Sequence, residues 1–304
     1  MWHTMAMKNT FDKTIVIMGP TASGKSDLAI ALARKYNGEI ISADSRQVYR
    51  GMDIGTGKVT KAEQKLSRHW LLDIASPKRT YNVTHFVRDA KKAIADIKKR
   101  DKTVIICGGT GFWIQALLEE NTFPAVKPDP KLRRKLEKLS TEELFKELKK
   151  KDPKRAQTID SKNKIRLIRA LEIIATLGKV PALTKKKAQS NDVLLIALNP
   201  SKETLDTKIE TRLEKRLKKG MLAEVKRLRK EGLSFKRLES FGLEYKYLAL
   251  FLQGKITPEE MKERLNFEIR HYAKRQLTWL RRYEKMGSHI HWITQAKEAE
   301  KLLS

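Results

Sequence analysis

The first 120 residues alternate short, continuously apolar runs with segments whose apolar positions recur at helical spacing. Residues 14–18, 39–42, 70–74 and 103–107 are the runs, and their length and β-branched content predict strands. Residues 27–36 and 84–100 predict the helices between them. Runs without polar alternation suit strands buried on both faces, so the pattern predicts an α/β fold, a parallel sheet with helices on both sides. The character changes after NTFPAVKPDP, where Pro124, Pro128 and Pro130 mark a boundary. From there to about residue 190 only helical patterns occur. Ser140 and Glu143 form a capping-box start, and Ile165, Ile168, Leu171 and Ile174 give one later helix an apolar face. Residues 192–200 predict a strand that returns to the sheet, and HIHWIT near the end predicts a last one. Long basic helices are predicted over 202–230 and 258–285, the second opened by Thr257, Pro258 and Glu260. The expected organisation is a core of residues 1–121 and 191–304 interrupted by an all-helical insertion at 122–190.

The junction between the first strand and the first helix reads Gly19-Pro20-Thr21-Ala22-Ser23-Gly24-Lys25-Ser26, which fits G-x-x-x-x-G-K-[ST] at every fixed position. Loop amides and the positive end of the helix make an anion cradle there, Lys25 adds a point charge, and the Ser26 hydroxyl suits Mg²⁺. A diphosphate is the expected occupant, with ATP as the default carrier. Asp44 follows the second strand, where a carboxylate can take a proton from an attacking OH or NH group or hold Mg²⁺ through water. The fourth strand runs into GGTGFW, whose glycines suit either close approach to a ligand or a tight turn, with the Thr110 hydroxyl available. A kinase acting on a small molecule or nucleotide would use the same loop and the same Asp44.

Charge narrows the partners. Sixty-five Lys and Arg against thirty-six Asp and Glu leave +29, including a lysine run at 185–187, which points to a polyanion. No apolar run is long enough to span a bilayer, and MWHTMAMKNTFDK lacks the apolar core of a signal peptide. Nucleic acid in the cytoplasm is therefore favoured over an anionic membrane. The single cysteine, Cys107, excludes an internal disulfide framework and lies in the apolar run TVIIC, as a buried thiol would.

In order, GPTASGKS, DSRQVYRGMDIGTGK, GGTGFWIQALL, NKIRLIRALE, RLEKRLKKGMLAEV and YAKRQLTWLRR resemble the tRNA dimethylallyltransferases, or tRNA isopentenyltransferases, over about residues 13–283. The resemblance implies that residues 19–26 hold the diphosphate of dimethylallyl diphosphate instead of a nucleotide, with Mg²⁺ at Ser26. The acceptor it implies is N6 of adenosine 37 in tRNAs that read codons beginning with U. Asp44 would take the N6 proton, Thr110 would lie near the acceptor, and Arg212 would contact the diphosphate. Asp44, Ser45, Arg46, Gln47 and Thr110 match the segment that meets the target base. Arg133, with Ile165, Arg166, Leu167, Ile168 and Arg169 of the insertion, matches positions that touch the anticodon stem-loop. A monomer is expected, since one tRNA occupies much of the basic surface, and the missing Cys/His finger of some eukaryotic members implies a bacterial-type or organellar member. Gly57 replaces a commoner alanine, Leu243 a commoner tyrosine and Ile269 a commoner threonine. If roughly six phosphates are neutralised, affinity for an anticodon stem-loop falls on the order of a thousandfold between 50 and 200 mM salt. A filter-binding titration over that range checks this, and a flat response would remove RNA as the addressee of the charge.

Overall fold

The computed structural model describes residues 11–119, 123–181 and 192–303, and it divides into two compact units, Met1–Glu119 with Lys187–Ser304, and Glu120–Lys186. The amino-terminal stretch 1–10 and the lysine run at 185–187 lie outside the described residues. The chain begins with β1 (Thr14–Met18), α1 (Lys25–Lys35), β2 (Gly38–Ser42), α2 (Lys61–Leu66), β3 (His69–Trp70), α3 (Val83–Lys99), β4 (Thr103–Cys107) and α4 (Gly111–Leu118). The second unit holds α5 (Pro130–Leu136), α6 (Thr141–Lys151), α7 (Pro153–Thr158) and α8 (Lys164–Leu177). The first unit resumes with β5 (Val193–Leu198), α9 (Lys202–Lys218), α10 (Met221–Lys230), α11 (Phe235–Ser240), α12 (Leu243–Leu252), α13 (Pro258–Lys285) and β6 (His291–Ile293).

The sheet is wholly parallel in the order β3-β2-β4-β1-β5-β6. Successive residues of β1 alternate between two cores. Val16 and Met18 join Ile41, Ile106 and Leu195 on the face covered by α3, α4 and α9 to α13, while Ile15 and Ile17 join Ile40, Ile105 and Ile196 on the face covered by α1. That double burial is why the strands carry no polar alternation. Because all strands point the same way, the loops that follow β1, β2 and β4 emerge at one edge, where ligands of such sheets bind.

Two expected elements differ. The strand predicted over 70–74 ends after Trp70, because Leu71 and Asp73 take positive φ of 64° and 56° and turn the chain out of the ladder. There the Asp73 carboxylate accepts from Lys58 Nζ at 2.5 Å. The helix predicted over 202–230 is two, since Gly220 at φ 101° breaks it between α9 and α10. α2 escaped prediction because none of its residues is buried; a capping box of Thr60 and Glu63 opens it.

The helical unit packs Leu136, Leu144, Leu148, Leu167, Leu171 and Ile174 into its own core. Ile165 departs from the apolar face assigned to it, being 81% exposed in the first turn of α8, whereas Ile168 is buried.

One buried carboxylate anchors β2. The Glu39 side chain is 2% exposed and accepts from Arg100 (2.5 and 2.7 Å), Lys102 Nζ (2.8 Å) and Trp70 Nε1 (2.8 Å). Burial alone would raise its pKa, but the bonds from Arg100, Lys102 and Trp70 outweigh it and hold the carboxyl at about 2. A depressed acid contributes stability above its unfolded pKa, near 4.5, and loses it as pH falls toward about 2. Glu39→Gln is expected to cost about 3 kcal/mol in urea unfolding at neutral pH. The gap between variant and parent should close as pH is lowered through that window; a gap independent of pH would show that the charge contributes nothing.

Candidate active site at the carboxyl edge of the sheet

Residues 19–26 leave β1 and enter α1 as a phosphate loop. Gly19 (φ 148°) runs so close to β5 that a Cβ there would lie 2.8 Å from the Leu198 carbonyl oxygen. Gly24 (φ 93°) is the N-cap of α1 and supplies no side-chain cap, so the first-turn amides of Lys25 and Ser26 are uncapped by it. The Ser23 hydroxyl is buried and has no hydrogen-bond partner. A loop with donors left over in this way fits an anion carrying several oxygens. Lys25 Nζ folds back to donate to the Pro20 carbonyl at 2.5 Å. Burial of its ammonium, with Arg212 adding to the effect, lowers its pKa to about 8 against the opposing pull of Cys107 and Asp44. Cys107 lies beneath it as a buried thiol pushed up to about 12 by desolvation, inert as a nucleophile.

Asp44 sits just past β2. Its Oδ1 accepts from the amides of Arg46 (2.8 Å) and Gln47 (3.4 Å), closing a turn instead of capping a helix. Ser45 N–H donates to Thr110 Oγ1 at 3.1 Å, which joins the turn after β2 to the one after β4. The glycines of that second turn face the protein's own atoms. A Cβ on Gly108 would strike the Ala43 backbone, one on Gly109 the Gln276 amide, and one on Gly111 the Trp279 ring. The close approach is to the protein's own packing, where the sequence suggested a ligand or a tight turn. Arg46 and Gln47 are tied down as well, Arg46 Nε donating to the Phe241 carbonyl (2.8 Å) and Gln47 Nε2 to the Gly57 carbonyl (3.3 Å).

α9 presents Arg212 and Arg216, one turn apart, toward the same space. Arg212 Nη2 donates to Thr21 Oγ1 of the phosphate loop at 3.2 Å. Its pKa falls to about 10 through burial and the neighbouring Arg216, while Glu244 and Asp44 pull the other way. Arg216 pairs with Glu244 at 3.2 Å, and burial pushes both toward neutrality, lowering the arginine and raising the acid. The Arg216 guanidinium stands where a Cβ on Gly57 would be, so the glycine that replaces alanine makes room for it. The loop 53–58 is held from below by Glu224. Its oxygens accept from the amides of Asp53 (2.8 Å), Ile54 (2.7 Å) and Gly55 (3.0 Å) and from the Tyr245 hydroxyl (2.7 Å). Lys58 Nζ completes the loop, donating to Asp53 (2.6 Å), Asp73 and the Tyr49 carbonyl (2.9 Å).

Lys25, Ser26, Asp44, Thr110 and Arg212 thus lie along the carboxyl edge. The charge of Asp44 acts on Lys25, Arg212, Arg216, Glu244 and Tyr272 alike. Arg216, Glu224, Glu244 and Gln276 were not singled out from the sequence. A signal existed for two of them: Glu224 lies on the buried face of α10 with Met221, Val225 and Leu228, and Gln276 on that of α13 with Ile269, Ala273 and Leu280. In the helical unit, Arg133 makes a bidentate pair with Glu172, which is 1% exposed, at 2.7 and 2.8 Å. Arg169 donates to the same carboxylate at 3.4 Å and to the Val126 carbonyl at 2.8 Å. Leu167 and Ile168 are buried there, while Ile165 and Arg166 are exposed.

No group of three or more His, Cys, Asp and Glu side chains that could hold a metal exists among the described residues. The oxygen donors there are hydroxyls, Ser26 and the unpartnered Ser23 among them, with Asp44 the carboxylate that follows β2. Such a set fits Mg²⁺, which takes most of its ligands from phosphates and water.

Against known proteins, residues 47–283 match the family model described as IPP transferase. The chain is 43% identical over 284 residues to tRNA dimethylallyltransferase 2 of Treponema denticola, covering 92% of this chain and 95% of that one. It is 39% identical over 293 residues to tRNA dimethylallyltransferase 1 of Geotalea uraniireducens, covering 95% and 96%. Among solved structures it resembles a tRNA delta(2)-isopentenylpyrophosphate transferase of Staphylococcus epidermidis (TM-score 0.66, 38% identity, 92% of each chain). It also resembles a eukaryotic dimethylallyltransferase captured acting on tRNA (TM-score 0.79, 29% identity, 94% of this chain and 75% of that one). With its phosphate loop, its acid and its half-buried arginines gathered at one edge of a parallel sheet, the chain belongs to the IPP transferase family, that of the tRNA dimethylallyltransferases.

Proposed function

We propose that the chain transfers the dimethylallyl group of dimethylallyl diphosphate to N6 of adenosine 37 in tRNAs that read codons beginning with U. The products are N6-isopentenyladenosine and diphosphate. The observation that carries this reading is the division of the site into a cationic side, the loop with Lys25 and Arg212, and an acidic side, Asp44 beside Thr110. The allylic C–O bond breaks with its electron pair leaving on the diphosphate. Loop amides, Lys25 and Arg212 stabilise that charge. As the N6–C bond forms, the adenine nitrogen sheds a proton, and Asp44 takes it on Oδ2, since Oδ1 is committed to the turn. Ser26 is the residue that would hold Mg²⁺, which when bound would neutralise diphosphate charge, and Asp44 is left free for the proton.

The base must leave its stack to reach Asp44, and Ser45, Arg46, Gln47 and Thr110 form the surface it meets. Arg133, Ile165, Arg166 and Arg169 serve the anticodon stem-loop, the arginines through phosphates and bases and Ile165 by apolar contact. Leu167 and Ile168 act there as core residues that hold α8 in place. A tRNA substrate puts the work in the cytoplasm, and a monomer suffices for it. No helix among the described residues is long and apolar enough to cross a membrane.

Two outcomes follow. A diphosphate monoester has lost its last proton by about pH 7 (phosphate pKa about 6), so only the protein titrates above that. Anion binding favours charged Lys25, whose pKa in the free protein is about 8. Above that value binding takes up one proton and affinity falls about tenfold per pH unit, a change that Lys25→Met abolishes. Calorimetry in buffers of different ionisation enthalpy at high pH measures the uptake. For the reaction, an anticodon stem-loop carrying A36-A37-A38 is incubated with protein, Mg²⁺ and either dimethylallyl diphosphate or ATP, and its nucleosides are analysed by mass spectrometry. Five carbons are expected on adenosine with the allylic donor only. Asp44→Asn keeps the turn, because its amide oxygen accepts the same two bonds, and lowers the rate by about 10²–10⁴. Phosphate transfer from ATP without prenylation would mean that the protein is a kinase.

A further inference from the structure

Gln276 lies on the buried face of α13, 8% exposed among apolar neighbours, and both ends of its amide are bonded. Oε1 accepts from the Thr21 amide at 2.8 Å, and Nε2 donates to the Gly109 carbonyl at 2.9 Å. One side chain therefore spans the phosphate loop after β1 and the Gly108–Gly111 turn after β4. Thr21 is itself a node, since its hydroxyl accepts from Arg212. The turn at Gly109 leads directly to Thr110, which is bonded to Ser45 beside Asp44. The socket is shaped for this amide: Nε2 stands where a Cβ on Gly109 would be, and one helical turn later the Trp279 ring stands where a Cβ on Gly111 would be.

From this geometry we infer that Gln276 is a positioning residue for the transfer, fixing the cradle of the leaving diphosphate relative to the Thr110–Ser45–Asp44 run that faces the acceptor. The inference rests on the proposed function only for which reaction is served. Displacement at an allylic carbon needs its leaving group and nucleophile held apart along one line, and these two groups of residues sit on separate loops. A primary amide is the required chemistry. A carboxylate cannot donate to Gly109, an ammonium or guanidinium cannot accept from Thr21, and asparagine is shorter by one methylene. The bond also removes the Thr21 amide from the donors that can turn to phosphate, so the anion is left to the amides that follow.

The test uses the full chain with inorganic diphosphate, the RNA stem-loop and two variants. Gln276→Leu removes both bonds at nearly constant volume, and Gln276→Glu keeps the acceptor for Thr21 while setting an anion against the Gly109 carbonyl. With Gln276→Leu, amide exchange at Thr21 should rise, diphosphate affinity should weaken about tenfold, and kcat should fall by about 10- to 100-fold with KM for RNA within twofold of the parent. Gln276→Glu should keep Thr21 protected and still lose kcat. Diphosphate affinity and kcat within twofold of the parent in both variants would overturn the inference. So would equal losses in kcat and KM that track a lowered melting temperature. If Gln276→Leu fails to fold, Gln276→Glu decides, because it retains the tie to the phosphate loop. Diphosphate titration needs no acceptor, so failure of the prenyl-transfer reading in the parent would leave this result standing.

Discussion

Positive charge crowded into a half-buried space governs this molecule. Lys25, Arg212 and Arg216 crowd one space, and burial disfavours the charge of each. Asp27, Asp44, Glu224 and Glu244 act on them in the opposite sense without restoring their ordinary values, and Glu244 is itself pushed toward neutrality. Such a cluster stays in place because each cation has a fixed internal acceptor: the Pro20 carbonyl, the Thr21 hydroxyl and Glu244. The loop is thus shaped before any ligand arrives, and an anion of high charge is the partner that offsets the cost of holding these cations together. These three are a small part of the 65 Lys and Arg that give the whole chain its formal charge of +29.

Glycine has an unusual duty here. In the turn after β4, and in the loop at 55–57, the missing Cβ atoms are replaced by side chains from distant elements: Gln276, Trp279, Tyr245 and Arg216. Each socket pairs one residue near the site with one more than 100 positions later in the chain. Helices α9, α12 and α13 are therefore keyed to the sheet edge, in addition to the ordinary packing of their apolar faces. This explains how a site assembled from four loops can be held to hydrogen-bond tolerance.

Much of this was legible in the sequence, for identifiable reasons. The phosphate loop could be read because its motif is contiguous, and β1, β4 and α13 because apolar runs and capping boxes mark them locally. The early end of β3 could not, since the positive φ of Leu71 and Asp73 depends on Lys58 and the loop it closes. The break at Gly220 was hidden inside a uniformly basic stretch. Ile165 fits the spacing of α8, yet its turn extends past the core that would bury it. Gln276 and Glu224 were visible in principle, each a polar residue on an apolar stripe. Their partners, in contrast, lie far away in sequence and could be seen only in the fold.

Glu224 has a consequence of its own. Its carboxylate rests on three consecutive backbone amides, Asp53, Ile54 and Gly55, the same kind of donor array that a phosphate loop offers to its ligand. The protein therefore carries two anion nests of different ownership. One is satisfied from within by a carboxylate covalently part of α10, so the loop it shapes answers to no solute and keeps its form whatever the concentration of phosphate or sulfate around it. The other is open to exchange. A chain that must bind and release a diphosphate in every cycle can in this way confine the influence of free anions to the single place where an anion is wanted.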